Sequence, residues 1–291
     1  MPAPINELVI MIIWIASYPK SGNTYLRSFL ASYYFSKDGK FSFEQLLKIH
    51  QFPNMKFSKI KSLSKEEASK NWILNQNTFF DKKNLNLVKT HNCLLPFKGN
   101  EFTTKNETLG AIYIVRDPRN VITSLTHHYS LNYNAAFKNM INSESSLLEK
   151  SHEFDHSNFT YLNSWSNHYK SWKNNSKFQV LFIKYEDFQK KIENIFEKVI
   201  LFINKLVNRD SKIDNTKFLN SIKSTNFTNL RNKELNEGFE ESVYSNKTGK
   251  KINFFNLGFN NRWQKLLPID IRDKLNKYYI SELKELDYLN E

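Results

Sequence analysis

Residues 12–35 read Ile-Ile-Trp-Ile-Ala-Ser-Tyr-Pro-Lys-Ser-Gly-Asn-Thr-Tyr-Leu-Arg-Ser-Phe-Leu-Ala-Ser-Tyr-Tyr-Phe. An apolar run breaks at Ser17–Thr24 and a helical pattern starts at once, so the order is strand, short loop, helix. The first N–H groups of such a helix have no intrahelical partner, and its dipole adds partial positive charge, which suits the loop to an anion. Gly22 permits positive φ or close backbone approach, Lys20 brings a full charge, and Ser21 and Thr24 bring hydroxyls. A surface turn closing a strand–helix unit has a similar composition. The order G-x-x-x-x-G-K-[ST] of the common ATP loop is absent, because Lys20 precedes Gly22 and Asn23 stands where that lysine would be.

Leu109–Val115 is apolar and rich in β-branched residues, and Arg116-Asp117-Pro118 breaks it. Pro118 suits a first helical turn with Asp117 as N-cap, and helical spacing continues to Tyr129. Arg116 then stands at the carboxyl end of a strand, where open α/β sheets bind ligands, and Ser124 lies about two turns along the next helix. An Arg fork and a hydroxyl suit a phosphate monoester; an Arg paired to a carboxylate and a solvent-facing Ser fit the same residues. Leu85–Thr90 has strand propensity and delivers His91 to another strand end, where an imidazole could accept a proton or be a structural His. The other six histidines, His50, His127, His128, His152, His156 and His168, receive the structural assignment.

Strands near 9–16, 85–90, 110–116 and 178–184 alternate with helical patterns at 24–35, 118–131, 158–174 and 188–206. This predicts an α/β fold, a central parallel sheet flanked by helices on both faces. Residues 8–291 read as one domain, with polar segments 132–157 and 232–253 as loops or lids and an amphipathic helix at 269–286.

The Tyr18–Thr24 loop resembles the 5′-phosphosulfate loop of the cytosolic-type sulfotransferases, which use 3′-phosphoadenosine 5′-phosphosulfate (PAPS) and release PAP. Further segments are similar in the same order: Lys89-Thr90-His91, Ile112–Val121 with Ser124, Val180–Asp187 with its Tyr-Glu-Asp end, and Ser224–Arg231. The first loop and the Ile112–Val121 segment are the specific ones, and a weaker likeness reaches Trp263. The resemblance implies a P-loop-like sulfotransferase fold and in-line transfer of a sulfuryl group to a hydroxyl, with an amine less favoured. It implies His91 as general base and Lys20 as stabiliser of the bridging oxygen, with Lys89 and Ser124 as assistants. Ser21, Gly22, Asn23, Thr24 and Tyr25 would hold the 5′ end and Arg116 and Ser124 the 3′-phosphate. Tyr25, Tyr185, Thr225 and Phe227 would surround the adenine, with Gly258 from the last segment. No metal is demanded, since positioning and charge stabilisation carry such transfers.

The family usually places Arg-Lys-Gly before a C-terminal Trp, where this chain has Asn256-Leu257-Gly258 before Trp263. Three readings stay open. Arg116 and Ser124 carry more of the contact, Lys250, Lys251 or Arg262 reaches in, or the nucleotide differs. The Lys-x-x-x-Thr-Val dimer signature of many animal members is absent, which leaves the oligomeric state open. A P-loop-type nucleotide kinase and a non-catalytic nucleotide-binding relative are the alternative functions.

The net charge of +13 comes with only 7 Arg among 42 basic residues, scattered and without aromatic repeats, so no nucleic-acid module is expected. The acceptor is expected to be a small molecule, lipid or glycan. Cys93 is the single cysteine, which excludes an internal disulfide and favours a reducing compartment. The apolar stretch Leu8–Ala16 is too short to span a bilayer and has no basic leader, so no transmembrane segment and a cytoplasmic location are expected.

Overall fold

Alternate side chains of β1 (Ile12–Ser17) enter different apolar clusters, Ile12, Trp14 and Ala16 on one side and Ile13 and Ile15 on the other. That division by two is what a central strand shows when both faces of its sheet are covered. The computed structural model describes residues 11–148, 154–245 and 248–289. Down the chain follow β2 (His50–Gln51), β3 (Asn86–Thr90), β4 (Thr108–Val115), β5 (Ser146–Leu147), β6 (Thr160–Tyr161) and β7 (Gln179–Lys184). The main sheet has the order β2-β3-β1-β4-β7 and its neighbours pair in parallel. β4 repeats the division of β1, sending Ala111, Tyr113 and Val115 to one cluster and Ile112 and Ile114 to the other. The expected parallel sheet between helical layers is therefore present.

β1 sits between β3 and β4, so the segments that leave their carboxyl ends lie side by side. These segments carry Lys20, His91 and Arg116, and Tyr185 follows β7, its N–H bonded to the Val115 carbonyl at 2.8 Å. The helix after β1 spans Asn23–Phe35 and the helix after β4 spans Pro118–Tyr129, close to expectation. Asp117 caps the latter, its Oδ1 accepting from the Arg119 N–H at 2.8 Å.

Elsewhere the expected elements shift. The stretch 132–157 is not a continuous loop, because Asn132 caps a helix at Tyr133–Ile141 that buries Ala136, Phe137 and Met140. The expected helix at 158–174 begins only at Trp165, with Ser164 as its cap. Its first residues instead form β6, held by the Tyr161 N–H on Asn92 Oδ1 at 2.7 Å and the Cys93 N–H on the Tyr161 carbonyl at 2.8 Å. These tertiary bonds override local helical spacing. The helix expected at 188–206 breaks at Lys191, whose φ of −147° leaves the helical region. The stretch 232–253 starts inside the Phe227–Glu237 helix and ends in a hairpin of β8 (Val243–Tyr244) and β9 (Lys251–Ile252). The C-terminal helix is two helices, Ile269–Tyr278 and Ile280–Glu285. Residues 8–10, His152 and parts of both expected lids lie outside the described residues.

One buried ion pair fastens the C-terminal helices to this frame. Arg119 holds Asp117 through Nε and Nη2, donates from Nη2 to the Tyr288 carbonyl at 2.6 Å, and lies 4.0 Å over the Trp263 ring. Replacing Arg119 with Met leaves the Asp117 carboxylate buried without its fork, a change that costs about 3–5 kcal/mol in comparable pairs. Urea denaturation of Arg119→Met is expected to show a loss of that order, and a loss below about 1 kcal/mol would show that the pair stabilises nothing.

Candidate active site

The strand ends converge on a cavity of about 470 Å³. Lys20, Gly22, Asn23, Thr24 and Tyr25 line it from the first loop, Lys89 and His91 from the end of β3, Arg116 and Ser124 from the β4–helix unit. Tyr185, Phe227 and Gly258 complete the expected residues on the wall. Ser21 and Thr225 are buried elsewhere. The Ser21 hydroxyl has no partner among the described residues, and the Thr225 hydroxyl donates to the Ser221 carbonyl at 2.7 Å, which closes its own helix rather than a ligand edge.

The loop owes its shape to backbone that most side chains avoid. Gly22 has φ +96°, and a Cβ there would stand 2.3 Å from the Tyr185 ring, so only glycine lets this ring pack on the turn. Arg116 pins the loop from β4 by donating to the Lys20 carbonyl at 2.8 Å, and its guanidinium lies 4.3 Å over Tyr185. Asn23 ties the loop to β1, donating to the Ile15 carbonyl at 2.9 Å. Lys20 itself has φ +65°, and its Nζ lies 3.8 Å over the Phe254 ring with no hydrogen-bond partner among the described residues. Burial pulls its ammonium down to about 7; Glu241 opposes that fall, while Lys89 and Arg116 add to it. A buried cation without an acceptor in a cavity lined by a glycine loop fits an anionic ligand group.

His91 is held in one tautomer. Its Nδ1 is 2.7 Å from the Ser17 carbonyl, which can only accept, so the proton sits on Nδ1 and the Nε2 lone pair is left for chemistry. Burial, then the Lys89 charge, lowers its pKa to about 3, so the ring is neutral across the physiological range. His168 supports it from behind, donating from Nε2 to the His91 carbonyl at 2.9 Å while Nδ1 accepts from the Tyr113 hydroxyl at 2.7 Å. The structural assignment of His168 is thus what the packing shows. His127 and His128 line the cavity; His127 is bonded to the Asn253 backbone, whereas His128 Nδ1 has no partner among the described residues. They stand three and four residues after Ser124, and helical spacing alone puts them on its face. Cys93 is fully buried off the cavity wall, and burial pushes its thiol up to about 11.

The ion pairs that Arg27 and Lys89 make in the cleft come from a residue with no sequence signal. Glu241, ahead of β8, accepts from Thr24 Oγ1 at 2.7 Å, Arg27 Nη1 at 2.6 Å and Lys89 Nζ at 3.0 Å. Burial alone would raise its carboxyl, but Lys89, Arg27 and the Thr24 hydroxyl outweigh that and hold it well below the usual carboxylate range. Nothing in local spacing ties residue 241 to residues 24, 27 and 89; the chain return does.

At the far end of the cleft Tyr25 meets Phe188 and Phe259 edge-on, and Tyr185 lies 5.3 Å from Phe259. Gly258 has φ +54°, and a Cβ there would fall 2.6 Å from the Phe227 ring, so the glycine is what admits that aromatic. Tyr25 and Phe227 offer apolar faces of the kind an adenine needs. Lys250, Lys251 and Arg262 do not line the cavity; its described lysines and arginines are Lys20, Lys89 and Arg116. No group of three or more His, Cys, Asp or Glu able to hold a metal ion occurs among the described residues.

A family model described as sulfotransferase domain matches residues 12–287. The mouse and human proteins named sulfotransferase 1E1 are each 26% identical, the alignments covering 93% of this chain and 83% of theirs. The luciferin sulfotransferase of Photinus pyralis is 26% identical over 76% of this chain, which spans 56% of that protein's length. Among solved structures, a retinol dehydratase in complex with androsterone and PAP superposes with a TM-score of 0.60 at 17% identity, covering 94% of this chain and 81% of that one. The chain belongs to the sulfotransferase domain family, and its reaction is sulfuryl transfer.

Proposed function

We propose that the chain transfers a sulfuryl group from PAPS to a hydroxyl, with an amine the lesser alternative, of a small-molecule, lipid or glycan acceptor. The observation that carries this is the pairing, in one cavity, of an unpartnered buried Lys20 ammonium with a neutral His91 whose Nδ1 proton is committed to Ser17. The PAP bound to structural neighbours of the same fold supports the nucleotide. When bound, PAPS supplies an already activated sulfuryl group. The loop 20–25, with Lys20 and the Thr24 hydroxyl, would hold the 5′ end; Arg116 and Ser124 would hold the 3′-phosphate, and Tyr25, Tyr185 and Phe227 the base. His91 Nε2 takes the proton of the acceptor hydroxyl as that oxygen attacks, and Lys20 answers the negative charge that grows on the departing side. Positioning and charge complementarity carry this reaction without calling on a metal.

Glu241 adds a condition. Its carboxylate engages Thr24 and Lys89, two of the groups an incoming sulfate ester would need. We infer that segment 238–245 acts as a lid that yields when the nucleotide enters. Retinol, androsterone and luciferin in the names of related proteins support a small-molecule acceptor for this chain too. No helix among the described residues is long and apolar enough to cross a membrane, and a single buried thiol suits a reducing cytoplasm.

PAP is expected to raise Tm well beyond AMP at equal concentration, by the mass-action stabilisation of about 2.7 kcal/mol at one hundred times Kd. Equal shifts would remove Arg116 and Ser124 from the 3′-phosphate. His91→Ala should lower kcat by at least about a hundredfold and leave PAP affinity nearly unchanged, and retained turnover would mean that another group is the base. Glu241→Gln should tighten PAP binding by about tenfold, since it removes a negative charge beside the nucleotide's own. Calorimetry showing weaker binding would make the carboxylate a support of the loop instead.

A further inference from the structure

The wall of the cavity that holds His91 contains polar atoms that the reaction does not use. Asn158 is 7% exposed, and neither its Nδ2 nor its Oδ1 has a hydrogen-bond partner among the described residues. His128 is likewise 7% exposed with Nδ1 unpartnered. Both line the cavity that holds His91. Buried polar atoms without partners are costly and uncommon, so three on residues that line one cavity call for a ligand or solvent that completes them.

Their placement ties both to the reacting end. Asn158 precedes β6, whose Tyr161 is bonded on both sides to Asn92 and Cys93, the residues directly after His91. His128 lies one turn beyond Ser124, its ring 5.7 Å from Phe254, the ring over which the Lys20 ammonium also sits. Leu147, Leu148 and Val243 line the same cavity and provide apolar surface. An amide both donates and accepts, and a neutral imidazole nitrogen does either according to tautomer; a hydroxyl can match both.

We propose that Asn158 and His128 form a polar subsite for the acceptor, so that the favoured acceptor is a neutral molecule with an apolar body and a second hydroxyl besides the one that is sulfurylated. This rests on the sulfotransferase reading of the cleft. A pocket built to hydrogen-bond a substrate hydroxyl discriminates strongly against the analogue that lacks it, because its own buried groups are then left unpaired. Mono-hydroxylated apolar molecules are therefore the poorer substrates of this chain.

The test uses the PAP-loaded protein, so that no turnover is required. Phenol is compared with catechol, and benzyl alcohol with salicyl alcohol, by titration followed with NMR. The diol of each pair is expected to bind at least about tenfold more tightly. In Asn158→Leu, in His128→Phe and in the double variant the preference should shrink, to within about twofold in the double variant, with PAP still bound. Thermal unfolding of nucleotide-free Asn158→Leu should show an unchanged or raised Tm, since the substitution removes two unpaired polar atoms; a lowered Tm would identify Asn158 as a structural residue and overturn the subsite. Equal binding of diol and mono-ol to the unaltered protein, or an undiminished preference in the double variant, overturns it as well. PAP binding without a diol preference removes only this proposal, whereas failure of the unaltered protein to bind PAP removes the sulfotransferase reading and the subsite with it.

Discussion

A buried ammonium without a hydrogen-bond acceptor is the constraint around which this cleft is organised. Lys20 could not be kept there by burial, which favours its neutral form. It is kept by geometry: Arg116 holds its carbonyl, the left-handed turn aims the side chain, and the face of Phe254 gives a partial electrostatic substitute for an anion. Glu241 supplies the negative charge nearby but places its hydrogen bonds on Thr24, Arg27 and Lys89. An anion arriving beside Lys20 would raise its proton affinity and compete with the Glu241 carboxylate at once, which is how the proposed nucleotide entry would be coupled to the segment before β8.

The same electrostatics divide the labour between the two imidazoles near β3. Both His91 and His168 are kept neutral by burial, at about 3 and about 4. His168 spends both nitrogens on protein, one on Tyr113 and one on the His91 carbonyl, so it can only position. His91 spends one nitrogen on Ser17 and retains the other. With so low a proton affinity His91 is by itself a weak proton sink; in the proposed reaction the negative charge of a sulfate ester would raise it toward the useful range.

The departure at Asn256-Leu257 also has a physical reading. With Lys250, Lys251 and Arg262 away from the cavity, a 3′-phosphate would depend on Arg116, which already commits one donor to Lys20 and its face to Tyr185, and on Ser124. Fewer cations at that end would shift the weight of the proposed nucleotide recognition to the aromatic walls and to the loop backbone. The unpartnered polar atoms of Asn158 and His128 are then the part of the lining to which the proposed nucleotide contacts assign no role.

Local sequence determined the pieces whose physics is local. The apolar alternation of β1 and β4, the loop 17–24, the Asp117–Pro118 cap and the order of strands and helices were all readable, because each rests on neighbours within a few residues. His91 and Arg116 were readable as strand-end residues for the same reason, and helical spacing already placed His127 and His128 beside Ser124. The start of the Trp165 helix, the burial of the Tyr133–Ile141 helix and the loss of Thr225 from the cavity wall were not, since bonds from Asn92, packing of Phe137 and Met140, and the Ser221 carbonyl decided them. Tertiary structure alone placed Glu241 on Thr24 and Lys89 and set Asn158 in the wall of the cavity that holds His91. The Glu241 contacts join residues far apart in the chain: the parallel pairing of β3 with β1 sets Lys89 beside the loop that leads to Thr24, and the return of the chain ahead of β8 brings the carboxylate within hydrogen-bonding distance of both.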